Sequence, residues 1–266
     1  MRIKSFRSFL LLLTLITVGL SGASPVYAAR PVASTPVLLG NDISYPQCRK
    51  SLPKGQAFGI VGVNNGLANT TNPCFATELS WAQASSGKTG QDKAALYVNT
   101  ANPGLTGSWW PTSNYYGGTT VTSPYGTCDG SDNAACAYMY GYAKAYDDAN
   151  VRGVSNPAAY KWWLDVETTN SWEANKAANT ADLEGMTAYF QSIGARVGIY
   201  STSYQWGQIV GPTTSTSNLN GLQSWLAGAS SSSAKSYCSL APLTSGGTVS
   251  LTQYVSGGLD YDYSCI

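Results

Sequence analysis

Trp162-Trp163-Leu164-Asp165-Val166-Glu167 is the stretch whose residue types and spacing point most sharply to chemistry. An apolar run ends in two acids separated by one residue. In a strand the side chains alternate faces, so Asp165 and Glu167 share one face, roughly 6.6 Å apart along the chain. Carboxyls held that close repel each other, which raises one pKa, and burial raises it further. One of them can then remain a carboxylic acid that donates a proton to a glycosidic oxygen while its neighbour stays ionised. The bland alternative is a strand end with two solvated acids. The apolar run in front of them argues for a buried, functional pair.

Other acids follow apolar runs in the same way. Asp42 comes after Leu38-Leu39-Gly40-Asn41, and Asp260 and Asp262 come after the last apolar run. Each taken alone is more often a turn or cap residue. If the strands close into a barrel, all these ends reach one rim and form an acidic cleft with Asp165 and Glu167. Aromatic residues gather near the same ends: Tyr45, Trp109, Trp110, Trp172, Tyr200, Trp206, Trp225 and Tyr254. Flat apolar rings suit the C–H faces of sugars, and they suit core or lid packing equally well.

The elements that must hold these residues are legible as alternating patterns. Short apolar runs at 37–44, 58–63, 94–98, 161–166, 195–200, 224–227 and 249–254 predict buried strands. Helical patterns lie between them. One opens at Asn72-Pro73 and runs to about residue 85, with asparagine as the expected N-cap and proline in the first turn. A second spans 134–150, with Tyr138, Tyr142 and Tyr146 at four-residue spacing, and a third spans 179–193 and stops at Gly194. Strands alternating with helices predict an α/β fold with a parallel sheet. Residues 104–132, rich in Gly, Ser, Thr and Tyr, predict a long loop.

Composition removes whole classes of mechanism. There is no histidine, so Ser-His-Asp and Cys-His catalysis, imidazole bases and histidine metal sites are all excluded. Carboxylates are left as the best proton-transfer groups near neutral pH. A net charge of +1 without a basic run argues against a nucleic-acid partner. Gly87-Lys88-Thr89 resembles the end of a phosphate loop, but Ala82 stands where that motif needs its first glycine. No cofactor is expected. The six cysteines contain no Cys-x-x-Cys pair, which argues for disulfides over a metal site. Sequential pairing, Cys48–Cys74, Cys128–Cys136 and Cys238–Cys265, closes the shortest loops. The basic start, the apolar run from Phe9 to Leu20 and the small residues near Ala28 predict a signal peptide over 1–28. Cleavage after Ala29 is the close alternative. The mature 29–266 is expected to be a single domain, a monomer, outside the membrane.

The order of motifs resembles glycoside hydrolase family 25, the N-acetylmuramidase-type lysozymes. The motifs are Asp42-Ile43-Ser44 with Gln47, Asp165-Val166-Glu167, Gly198-Ile199-Tyr200-Ser201, Trp225-Leu226-Ala227, Gln253-Tyr254 and Asp260. The resemblance implies an irregular TIM-type barrel with eight strands and fewer than eight helices. It implies a secreted, extracellular or wall-associated enzyme that cleaves the β-1,4 bond after N-acetylmuramic acid in peptidoglycan. Glu167 would be the proton donor. Asp165 would stabilise the developing positive charge or orient the N-acetyl group. Asp42 and Asp260 would line the cleft. Tyr200, Gln253 and Trp225, from the matching motifs, and Trp109 and Trp110, from the aromatic cluster, are expected to contact the polysaccharide. The chain departs from the family on its second strand, Val61-Gly62-Val63-Asn64-Asn65-Gly66, and its third, Leu96-Tyr97-Val98-Asn99. The cysteines and the Trp109-Trp110 loop are also atypical. Two alternatives stand beside this one. One is a cell-wall-binding barrel without turnover. The other is a family 18 chitinase-like hydrolase, whose two further upstream acids are Tyr160 and Trp163 in this chain.

Overall fold

The computed structural model describes residues 39–266. The expected signal segment, 1–28, lies outside the described residues. Ten strands form: β1 (Leu39–Ile43), β2 (Gly59–Gly62), β3 (Ala94–Asn99), β4 (Tyr115–Tyr116), β5 (Thr119–Thr120), β6 (Lys161–Asp165), β7 (Arg196–Ser201), β8 (Gln223–Leu226), β9 (Val249–Ser256) and β10 (Leu259–Ser264). Eight of them close into a barrel in the order β1-β10-β9-β8-β7-β6-β3-β2. Five α-helices join them: α1 (Phe75–Gln83), α2 (Ala134–Asn150), α3 (Lys176–Ser192), α4 (Ser203–Ile209) and α5 (Ala234–Tyr237). The irregular eight-stranded α/β barrel with fewer than eight helices is therefore the observed fold.

The caps follow the local sequence. Asn133 starts α2 by accepting from the Cys136 N–H, and Asn175 starts α3 by accepting from Ala177 and Ala178. At α1 the expected cap is displaced. Asn72 accepts from the Cys74 N–H, and the helix begins only at Phe75. Helices α2 and α3 cross closely because Gly141 and Gly185 meet there. A Cβ on either would run into a backbone carbonyl of the other helix.

Alternation along β6 divides its side chains between two cores. Trp162 and Leu164 face outward into the layer beneath the helices, where Trp162 stacks on Phe190 with ring centroids 4.4 Å apart. Lys161, Trp163 and Asp165 face inward and form a ladder from the floor of the barrel to its rim. Trp163 joins Phe58, Ile60, Trp225 and Leu251 in the interior core. Inward glycines make room for these rings: Gly40 beside Phe58, Gly62 beside Tyr97 and Gly198 beside Trp163. This pairing of small with large side chains fills a narrow barrel. At the bottom, the Lys161 ammonium lies 3.9 Å from the Trp163 ring centroid and bonds Gln223. Burial lowers its pKa to about 7.

Two features differ from the sequence reading. The sheet is not wholly parallel, because β10 runs antiparallel to both β1 and β9. The 104–132 segment contains the β4–β5 hairpin. Over the second half of the barrel only the short helices α4 and α5 form. All three disulfides pair sequentially, as the spacing predicts. Among the described residues, no helix is long and apolar enough to cross a membrane.

Candidate active site

The parallel strands end at one rim, and the last residues of several of them are polar. Asp42 stands next to last in β1, Asn99 ends β3 and Asp165 ends β6, with Glu167 two residues beyond. The antiparallel β10 begins at the same rim. Its Asp260 lies directly opposite Asp42 in the strand register. Two adjoining cavities of about 290 and 250 Å³ share Asp42, Tyr97, Asp165, Glu167 and Asp260 in their walls. Tyr200, Trp225 and Gln253 line the second.

Each acid is held by specific contacts. Asn99 Nδ2 donates to Asp165 Oδ2 at 2.8 Å, while Asp165 Oδ1 is buried without a partner. Gln253 Nε2 donates to Asp42 Oδ2 at 2.8 Å, and the Tyr200 hydroxyl donates to Gln253 Oε1, also at 2.8 Å. The backbone at Glu167 is clamped from below. Its carbonyl accepts from Trp172 Nε1 at 2.8 Å and from the Asn170 N–H at 3.1 Å. Its carboxyl is left half-buried and faces the cleft.

The carboxyls cannot all ionise together at neutral pH. Burial, then the charge of Glu167, pushes Asp165 well above the usual carboxylate range. Glu167 is raised by burial and then by Asp260. Burial and Asp260 raise Asp42 to about 7, and burial raises Asp260 itself. The sequence reading gave the raised pKa of the pair to Glu167 with Asp165 ionised. In the structure the stronger push falls on Asp165, because it is the deeper of the two. No lysine or arginine lines either cavity. Among the described residues, no group of acidic, cysteine or histidine side chains could hold a metal ion.

The fold thus brings together Asp42, Asp165, Glu167, Asp260, Tyr200, Trp225 and Gln253. It does not bring Trp109 and Trp110 to the walls of this cleft. They pack over Tyr140 of α2, with Trp110 stacked on it at 5.4 Å and Trp109 beneath the Lys144 ammonium at 4.6 Å. Trp206 belongs to the outer core, and Tyr254 stacks on Tyr261. Asn99 and Tyr97 were noted in the sequence only as departures from a family motif. Both line the cleft. A polar residue directly after an apolar strand, the signal that found Asp42, would have found Asn99.

Known proteins share parts of this chain. A family model described as Lysozyme-like protein 1 matches residues 141–239. Over 70 residues the chain is 37% identical to the probable GH family 25 lysozyme 4 of Dictyostelium discoideum, a stretch covering 24% of this chain and 32% of that protein. The match thus spans about a third of that relative's length. The whole fold is similar to a family GH25 lysozyme from Aspergillus fumigatus, with a TM-score of 0.54 and 16% identity over 85% of this chain and 93% of that one. It is also similar to a muramidase from Trichobolus zukalii, with a TM-score of 0.52 and 19% identity over 86% of this chain and 93% of that one.

Proposed function

We propose that this chain, which has the fold of the family 25 lysozymes and resembles them in sequence, is a muramidase-type glycoside hydrolase. The reading rests on one observation above the others. Asp42, Asp165, Glu167 and Asp260 come from three segments, the ends of β1 and β6 and the start of β10, to one cleft, with Glu167 half-buried and facing the open space. The substrate is peptidoglycan, cut at the β-1,4 bond after N-acetylmuramic acid. Glu167 protonates the glycosidic oxygen, which leaves poorly as an alkoxide. Asp165 faces the positive charge that develops on the sugar ring. Tyr200, Gln253 and Trp225 form the wall against which the sugar packs. The protein is exported after loss of residues 1–28 and works as a monomer, with 29–266 as one domain. Three disulfides suit an oxidising, extracellular compartment.

The test is release of reducing ends from purified peptidoglycan and from chitin, side by side. Peptidoglycan should be cut and chitin should not. Preference for chitin would move the reading to a chitinase-like hydrolase. Binding of peptidoglycan without release would make the barrel a wall-binding module.

The charge arrangement also sets a pH dependence. The Asp260 carboxylate helps hold the proton on Glu167. Asp260→Asn removes that negative charge, so the Glu167 pKa falls and its acid form is lost at lower pH. The alkaline limb of the kcat/KM profile should therefore move to lower pH. An alkaline limb that stays in place or moves upward would sink this role for Asp260.

A further inference from the structure

A fifth acid lies inside the barrel beneath the cleft. Because β10 runs down from the rim, Asp262 sits two residues deeper than Asp260 on the same face. It is 0% exposed. Neither of its carboxyl oxygens has a partner of good hydrogen-bond geometry. The residues opposite it are Gly40 on β1 and Gln253 on β9. Gly40 has no side chain, and the Phe58 ring occupies that space. The groups that face Asp262 are Asp42 from β1, Asp260 from its own strand and the Trp225 indole from β8, with the Tyr200 phenol of β7 nearby. The Trp225 indole N–H also lacks a partner of good geometry. None of the ion pairs among the described residues reaches this position.

A carboxylate in such a place would face two other carboxyls from a wall of aromatic rings, with no cation to offset it. Desolvation makes that state far costlier than the neutral acid. Burial first, then Asp42 and Asp260, pushes the Asp262 pKa well above the usual range. A neutral carboxyl carries one O–H donor. The acceptor that faces it is the carboxyl of Asp42, which already receives Gln253 on Oδ2.

We infer that Asp262 is a positioning residue that works as an uncharged hydrogen-bond donor and, together with Gln253, aims the Asp42 carboxyl into the cleft. Asp262 touches no substrate, since it lines neither cavity. Its effect on turnover rests on the muramidase reading; its protonation does not.

Asp262→Asn and Asp262→Leu separate the possibilities. Asparagine keeps the size and supplies an N–H donor, whereas leucine keeps the size and supplies none. A neutral donor predicts that asparagine recovers kcat/KM on peptidoglycan to within about threefold of wild type, while leucine loses at least about tenfold, the scale of one hydrogen bond. Circular dichroism and Tm show that each variant is folded at the assay temperature, so that a loss confined to leucine reads the missing donor and not the fold. Equal losses in both variants would mean that Asp262 acts through charge, and would overturn the inference. Wild-type activity in the leucine variant would also overturn it. Infrared difference spectroscopy of wild type against Asp262→Asn at neutral pH gives a readout independent of turnover. A protonated-carboxyl C=O band present only in wild type supports the neutral donor, and its absence overturns it. A wild type that shows the band but cuts no glycan would sink the muramidase reading alone.

Discussion

Glu167→Gln is expected to lose at least about 10²–10⁴ of turnover while keeping the fold and the affinity for sugar. Glutamine has the same shape but no acidic proton, so it can accept or donate a hydrogen bond without protonating the leaving oxygen. The fold should survive because the contacts that fix this turn are made by the backbone. Trp172 and Asn170 hold the Glu167 carbonyl, and neither touches its carboxyl. Burial and Asp260 keep the acid form populated toward neutral pH. Their effect on the rate should vanish with the carboxyl, so the alkaline limb of the pH profile should flatten in the variant. The measurement is kcat on cell-wall fragments, with circular dichroism for the fold and binding of a non-cleaved oligosaccharide for the cleft. Wild-type turnover in Glu167→Gln would place the acid elsewhere and sink the mechanism.

Much of this arrangement was legible because several barrel strands pair an apolar run with a polar end. Asp42 and Asp165 were found that way, and the shared face of Asp165 and Glu167 followed from the two-residue period. The strand carrying Asp260 was missed as a strand. Ser256-Gly257-Gly258-Leu259 is a two-residue hairpin turn in which both glycines take positive φ, 60° and 76°, and Gly-Gly between alternating segments is a hairpin signal. Without that turn, the antiparallel direction of β10 could not be read, and depth depends on direction. A parallel strand carries later residues upward to the rim. An antiparallel one carries them down, so Asp262 is buried where it had looked like a neighbour of Asp260. The place of Trp109 and Trp110, off the walls of this cleft, could not be read for a different reason. Aromatic character suits a sugar and a helix face alike, and only tertiary contacts assign these two to Tyr140. The relative acidity of Asp165 and Glu167 was equally out of reach, since it turns on which of the two lies deeper.

That depth difference bears directly on Asp165→Asn. In the free protein the pair competes for a proton, and the deeper carboxyl is pushed up harder. The proposed mechanism needs the opposite distribution, with the proton on Glu167 beside the leaving oxygen and the negative charge on Asp165 beside the sugar ring. On that mechanism the substrate supplies the bias. As positive charge develops next to Asp165, it lowers the pKa of that carboxyl and leaves the proton to Glu167. The unpartnered Oδ1 is free to face that charge, while Asn99 fixes Oδ2. Asparagine at 165 can still accept the Asn99 hydrogen bond through its amide oxygen, so the site should keep its shape. What it loses is the negative charge aimed at the transition state. Removal of one such preorganised group costs about 10²–10³ in kcat. The expected result is a loss of that order in kcat with KM little changed, because the charge matters most when the bond is breaking. The Glu167 pKa should change little, because burial and Asp260 rather than Asp165 raise it, so the small remaining activity should keep the alkaline limb of the wild type. A variant with reduced affinity and an intact kcat would make Asp165 a binding group, and the stabilising role would then belong to Asp42 or Asp260 across the cleft.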